Sequence, residues 1–208
     1  MRSLDAAELA AIAARTVVAR DLVVITVKDR LTGNASDVGF WSDAGNFTCQ
    51  VKNGRTGLIQ TQSFVGGALV SVGDIPLTSD ISVRIVDVVL SGIDASVIDA
   101  TRAYDARNAP IVIYRGYLNP DTHELVAPAK ARFIGFIDEA PVVTPAEGGA
   151  STVTLSCASH TRELTRKNPD VRSHESQILR KADDDFYHDT SVVETWEIFW
   201  GREKGRVG

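Results

Sequence analysis

The chain has 208 residues, 44% of them apolar and 24% charged, which suffices for one large or two small domains with a genuine core. Its net charge is -5 and its pI about 5.4, with acids and bases interspersed, unlike the basic face of a duplex-binding protein. Cys49 and Cys157 form no CxxC pair, and two thiolates are too few for a zinc ribbon or an iron–sulfur cluster.

No apolar run approaches the length of a membrane-crossing helix. The alanine-rich start carries Asp5 and Glu8, which is unlike a signal peptide. A soluble chain made in a cytoplasm, with no membrane anchor, is expected.

Ser3 is placed to cap a helix over residues 3–15, with Asp5 and Glu8 in its first turns and Leu4, Leu9 and Ile12 as a weak apolar stripe. From Thr16 to Asp29 β-branched residues dominate. Leu22, Val24, Thr26 and Lys28 share one face of that strand, and Val23, Ile25 and Val27 the other. Lys28–Asn34 reads as a hairpin turn. Further strands are expected at Val38–Trp41, Phe47–Val51, Leu58–Val65 and Ala68–Val72, separated by turns at Asp43–Asn46, Asn53-Gly54 and Gly66-Gly67.

Ile81–Leu90 is the longest strand signal in the chain, with Ile81, Val83, Ile85 and Val89 on one face. One helix interrupts the β pattern over 94–105, capped by Asp94, with Val97, Ile98, Thr101 and Tyr104 at helical spacing. Ile111–Gly116 is a strand, and Asn119–His123 is the turn that returns the chain. Arg132–Val143 and Ser151–Cys157 are strands; in the second, Val153, Leu155 and Cys157 alternate with Thr152, Thr154 and Ser156. A cysteine alternating with valine and leucine is ordinarily a small buried hydrophobe.

Residues 1–159 are therefore expected to form a mainly β body of antiparallel barrel or sandwich lobes, one or two in number, with one or two short helices. From His160 the pattern changes. Residues 160–208 are polar and charged, and they end in an aromatic cluster, Trp196, Ile198, Phe199 and Trp200. Such an extended arm either docks on another protein or folds back on its own core.

Catalytic chemistry has little to stand on. His160, His174 and His188 lie in the arm near Asp183, Asp184, Asp185 and Asp189, but at no compact metal-ligand spacing. There is no nucleophile elbow and no phosphate-binding loop. Asp138 and Glu139 are neighbours on a strand, so they point to opposite faces and do not share a proton. Neither enzymatic activity nor a cofactor or metal is expected.

Several segments resemble tail-tip proteins of long-tailed bacteriophages and gene transfer agents. They are Val38-Gly39-Phe40-Trp41-Ser42-Asp43, Ile75–Asp80, Tyr104–Pro110, Tyr114–Thr122 and Leu125–Pro128. The arm carries the clearest part: Ser159–Arg166, Asn168-Pro169-Asp170, Arg172-Ser173-His174, Asp185-Phe186-Tyr187 and Trp196–Gly201. The resemblance implies a β-barrel hub that assembles as a ring, closes the lower end of the tail tube and holds the central fibre. A homotrimer follows for a hub; a distal tail protein, the alternative, would be a hexamer. Other tail proteins would be its partners, DNA would pass without specific binding, and the chain would reside at the virion tail tip. Some relatives of the hub hold an iron–sulfur cluster with cysteines, and this chain lacks them. The resemblance points to Arg162, Arg166, Arg172, His174, Asp185, Phe186, Tyr187, Trp196 and Trp200 as interface residues. A tail-carried, metal-dependent cell-wall hydrolase is the reading from a different class.

Overall fold

In the computed structural model of the chain, the residues described are 4–77, 80–92, 104–106, 108–143, 146–147, 151–165, 167 and 170–195. They fall into two compact units, Met1–Thr165 and Arg166–Gly208.

The branched run Leu22–Val27 in β1 (Val18–Asp29) explains the architecture of the first unit. Both faces of this strand are covered: Leu22 and Val24 join one core, while Val23, Ile25 and Val27 join another. A strand buried on both faces must lie between two layers.

The first layer is a barrel. β2 (Ala35–Trp41) and β8 (Pro110–Leu118) flank β1 in antiparallel register, with Val24 opposite Gly39 on one side and Val112 on the other. β9 (Ala129–Glu139) pairs with β8. β3 (Phe47–Lys52) and β4 (Ile59–Gly66) form a hairpin. Two parallel pairings, Phe40 with Val65 and Val51 with Ala129, then close β3-β4-β2-β1-β8-β9 into a six-stranded barrel. All six strands supply its filling, among them Leu22, Trp41, Val51, Phe64, Tyr114 and Ala129. Gly39 sits where β2 and β4 approach closely; a Cβ there would run into the Ser63 carbonyl and the Phe64 ring.

The second layer is a wing built outward from β9. β11 (Thr152–Ser159) pairs with β9 and β6 (Ile85–Ser91), and β5 (Leu69–Val72) pairs with β6. Val86, Val88, Leu90, Val153 and Leu155 of the wing share a core with Val23, Ile25, Phe40 and Ile111 of the barrel wall. β10 (Val142–Val143) adds to β11, and β7 (Tyr104–Asp105) adds to the end of β1. The expected mainly β, barrel-type fold is thus present, with two parallel seams in an otherwise antiparallel sheet.

Three local expectations change. The first helix is α1 (Ala6–Ala14), with Asp5 as its N-cap, Glu8 accepting the Asp5 backbone N–H at 2.7 Å, and Arg15 in the left-handed region ending it. Ser3 lies outside the described residues. Leu9 and Ile12 are exposed, and the one buried residue of α1 is Glu8. Of the helix expected over 94–105, Tyr104 and Asp105 are strand residues paired with β1, and 94–103 lie outside the described residues. In β6 the buried face is Val86, Val88 and Leu90; Ile85 points outward and Val89 is half-buried.

Candidate functional site

The described part of the second unit has no interior of its own. None of residues 167 and 170–195 is buried. A short helix, His174–Ile178, is capped by the Ser173 hydroxyl, which accepts the Ser176 N–H at 3.2 Å. Gln177 Oε1 accepts the Tyr187 N–H at 3.2 Å, and the Asp184 carboxylate accepts the Phe186 N–H at 3.3 Å. Hydrogen bonds from the Gln177 side chain and the Phe186 N–H hold the Asp184 carboxyl below its usual range. Arg180 pairs with Asp170. These are local ties, side chain to backbone at Ser173, Gln177 and Asp184 and side chain to side chain at Arg180–Asp170, the kind that shape a segment with little buried apolar surface.

Five of the nine expected interface residues, Arg172, His174, Asp185, Phe186 and Tyr187, are described residues of this unit. The His174 ring meets the His188 ring edge-on at 5.0 Å, and Phe186 meets Tyr187 edge-on at 5.0 Å. Asp185 lies beside that aromatic pair in sequence. Arg172 and Tyr187 line an open depression of about 250 Å³ with Asp170, Arg180, Lys181 and Asp184. Phe186 is 80% exposed and Leu179 89%. Arg166, Trp196 and Trp200 lie outside the described residues.

Arg162 stands apart, in the first unit. It occupies a helical turn, Arg162–Thr165, directly after β11, and its Nη1 is 2.5 Å from Asp138 Oδ1 on β9. Ser159 is buried, donates its N–H to the Arg84 carbonyl at 2.8 Å and accepts the Arg84 N–H on Oγ at 3.0 Å. His160 N–H reaches the Ile134 carbonyl at 3.1 Å, and its ring lies 5.3 Å from Phe136. The stretch Ser159–Arg162 therefore serves the barrel body.

A second exposed surface was not singled out from sequence. The connection from β5 to β6 carries Leu77, Ile81 and Val83 into solvent, and Ile85 continues the row. Ile81 is 82% exposed, while Ser82 and Arg84, on the other side of the extended chain, are half-buried. The period-two signal at 81–85 is real, but it faces outward. Flanking Asp74 and Asp80 are the signals that could have said so.

No group of three or more His, Cys, Asp or Glu side chains suited to a metal occurs among the described residues. Cys157 is buried in the wing core and Cys49 is half-buried against the barrel filling; both are free thiols. Burial pushes Cys49 up to about 11, and burial with the nearby Asp87 charge pushes Cys157 up to about 12. No described helix is long and apolar enough to cross a membrane. The chain matches no protein-family model and no curated protein.

Proposed function

We propose that this chain is a structural protein of a phage-type tail tip, a ring-forming hub that closes the lower end of the tail tube and connects it to the central fibre. One observation carries this reading: the described arm, 167 and 170–195, buries none of its residues and holds Phe186 and Leu179 out in solvent. A folded body joined to a segment none of whose described residues is buried is suited to assembly, because exposed side chains such as Phe186 and Leu179 gain burial on a neighbour. The tail-tip resemblance of the arm motifs Arg172-Ser173-His174 and Asp185-Phe186-Tyr187 supplies the identity of the assembly. The hub works by surface and shape: the barrel gives each copy a rigid wall, and contacts between copies and to the fibre give the ring. Self-association and binding to other tail proteins follow, at the virion tail tip.

Deleting residues 166–208 tests the reading. The truncated chain keeps the Arg162–Asp138 pair and the barrel, so it stays folded, and tails made with it lack a completed tip. Normal tails from the truncated chain would overturn the proposal.

A further inference from the structure

A recess of about 340 Å³ opens beside the turn that joins β3 to β4, lined by Gly54, Arg55, Ile134 and His160. A narrower slot shares Arg55, Ile134 and His160 with it and runs along Pro110 and Phe136, which are paired across β8 and β9. β3 ends at Lys52, β4 starts at Ile59 and β8 starts at Pro110, and Ile134 packs against the barrel filling. The recess therefore lies at a mouth of the barrel. Barrel mouths are a recurrent place for small-ligand sites, and this volume is in their range.

The backbone that carries the two polar groups is fixed by the fold. Asn53 N–H donates to the Leu58 carbonyl at 2.8 Å, and Asn53 Oδ1 accepts the Arg55 N–H at 2.8 Å and the Thr56 N–H at 3.2 Å. Gly54 leans on β9: a Cβ there would lie 2.6 Å from Ile134 Cδ1 and 2.8 Å from Ala131 Cβ. His160 N–H donates to the Ile134 carbonyl at 3.1 Å, and its ring lies 5.3 Å from the Phe136 ring. Arg55 is exposed and forms no ion pair among the described residues. From Asn46 to Gly73 the sequence has no Asp or Glu, and Asp138 on β9 is engaged by Arg162. Groups placed in advance on a rigid backbone lose little freedom when a ligand binds.

We infer that this recess binds a carboxylate carried on a short apolar body. The Arg55 guanidinium takes the carboxylate with its paired N–H groups, a fork that matches the two oxygens. His160 adds a ring N–H, which an imidazole has in either tautomer. Half-buried Ile134 and Phe136, with Pro110 beside them, receive the apolar body. A single guanidinium balances the single charge of a carboxylate and leaves a phosphate dianion half-neutralised. A free organic acid and the terminal residue of a peptide chain both present this chemistry. The site is independent of the ring reading above, since every residue in it belongs to the barrel body.

Amide-shift titration of the isotope-labelled full chain tests it with two matched pairs of probes. Benzoate is compared with benzamide, and N-acetyl-alanyl-phenylalanine with the same peptide amidated at its C-terminus. Both carboxylates should move the amides of Gly54, Arg55 and His160 to saturation, and each neutral partner should need at least about tenfold more. Tighter binding of benzoate assigns the source as a free acid, and tighter binding of the peptide assigns it as a chain terminus. Arg55 and His160 are both exposed, and unchanged thermal melting verifies the fold of each variant. Arg55→Gln should raise Kd by about tenfold or more, Arg55→Lys, which keeps the charge and loses the fork, by less, and His160→Gln by about threefold. Carboxylate and amide that bind alike, no saturating shift at these residues with either carboxylate, or an Arg55→Gln chain that binds as wild type does would each overturn the site.

Discussion

Lys130 on β9 holds the N-terminal helix to the barrel through Glu8: Nζ lies 2.7 Å from Glu8 Oε2 and 3.1 Å from Asp5 Oδ1. Glu8 is 2% exposed, so α1 is fastened by an ion pair while its apolar residues Leu9 and Ile12 face out. Lys130→Met removes the cation and leaves a buried carboxylate without it, a cost on the order of 3 kcal/mol. Hydrogen exchange should then show α1 opening while β1 and β8 stay protected. Unchanged protection of α1 would contradict this role.

The same pair sets an alkaline limit. Burial works against the Lys130 charge, but hydrogen bonds to Glu8 and Asp5 outweigh it and raise its pKa above the ordinary lysine value. With the folded pKa above the unfolded one, the contribution is complete below about pH 10.4 and is lost as pH rises through the folded value. Denaturant melts of wild type should weaken in that window, and those of Lys130→Met should weaken less. Equal alkaline losses in the two proteins would assign the effect elsewhere.

Two cores on the two faces of one barrel wall should respond independently. Phe64 fills the barrel and Leu90 the wing contact, and both are buried. Phe64→Ala should cost about 3–5 kcal/mol and Leu90→Ala about 2–5 kcal/mol. In urea unfolding the double variant should lose the sum within about 0.5 kcal/mol. A coupling well above that would mean that the two clusters behave as one core.

Both thiols should be slow to react in the folded protein. With Cys49 near 11 and Cys157 near 12, the thiolate fraction at pH 8 is at least about a hundredfold below that of a free cysteine. Alkylation should be slow in buffer and fast in urea. Rapid labelling of Cys157 in buffer would show that the wing opens readily.

Much of the body was legible because its strands alternate, and alternation reports a half-buried strand. The turn at Asp29–Asn34, with Gly33 at φ 73°, and the hairpin at Asn53-Gly54 followed from their turn residues. Three things were not legible. The parallel closures Phe40–Val65 and Val51–Ala129 join distant segments, and nothing local encodes a distant partner. In β6 the outward face mixes Ile85 and Val89 with Asp87 and Ser91, and those two apolar residues masked the wholly apolar inward face of Val86, Val88 and Leu90. Glu8 was readable as a helix-start residue, but its burial against Lys130 depends on a strand 122 residues away. For the candidate site, composition pointed to an exposed arm, and the aromatic and histidine pairs at 174–188 gave it local geometry.

The central claim is that this chain forms a ring at the tail tip, and an image of particles carrying a label on it tests that most directly. The account predicts density at the lower end of the tail tube in a ring of three copies. Six copies in a ring at that position would replace the hub with a distal tail adaptor. Particles that lack the chain, or carry it away from the tip, would contradict the account.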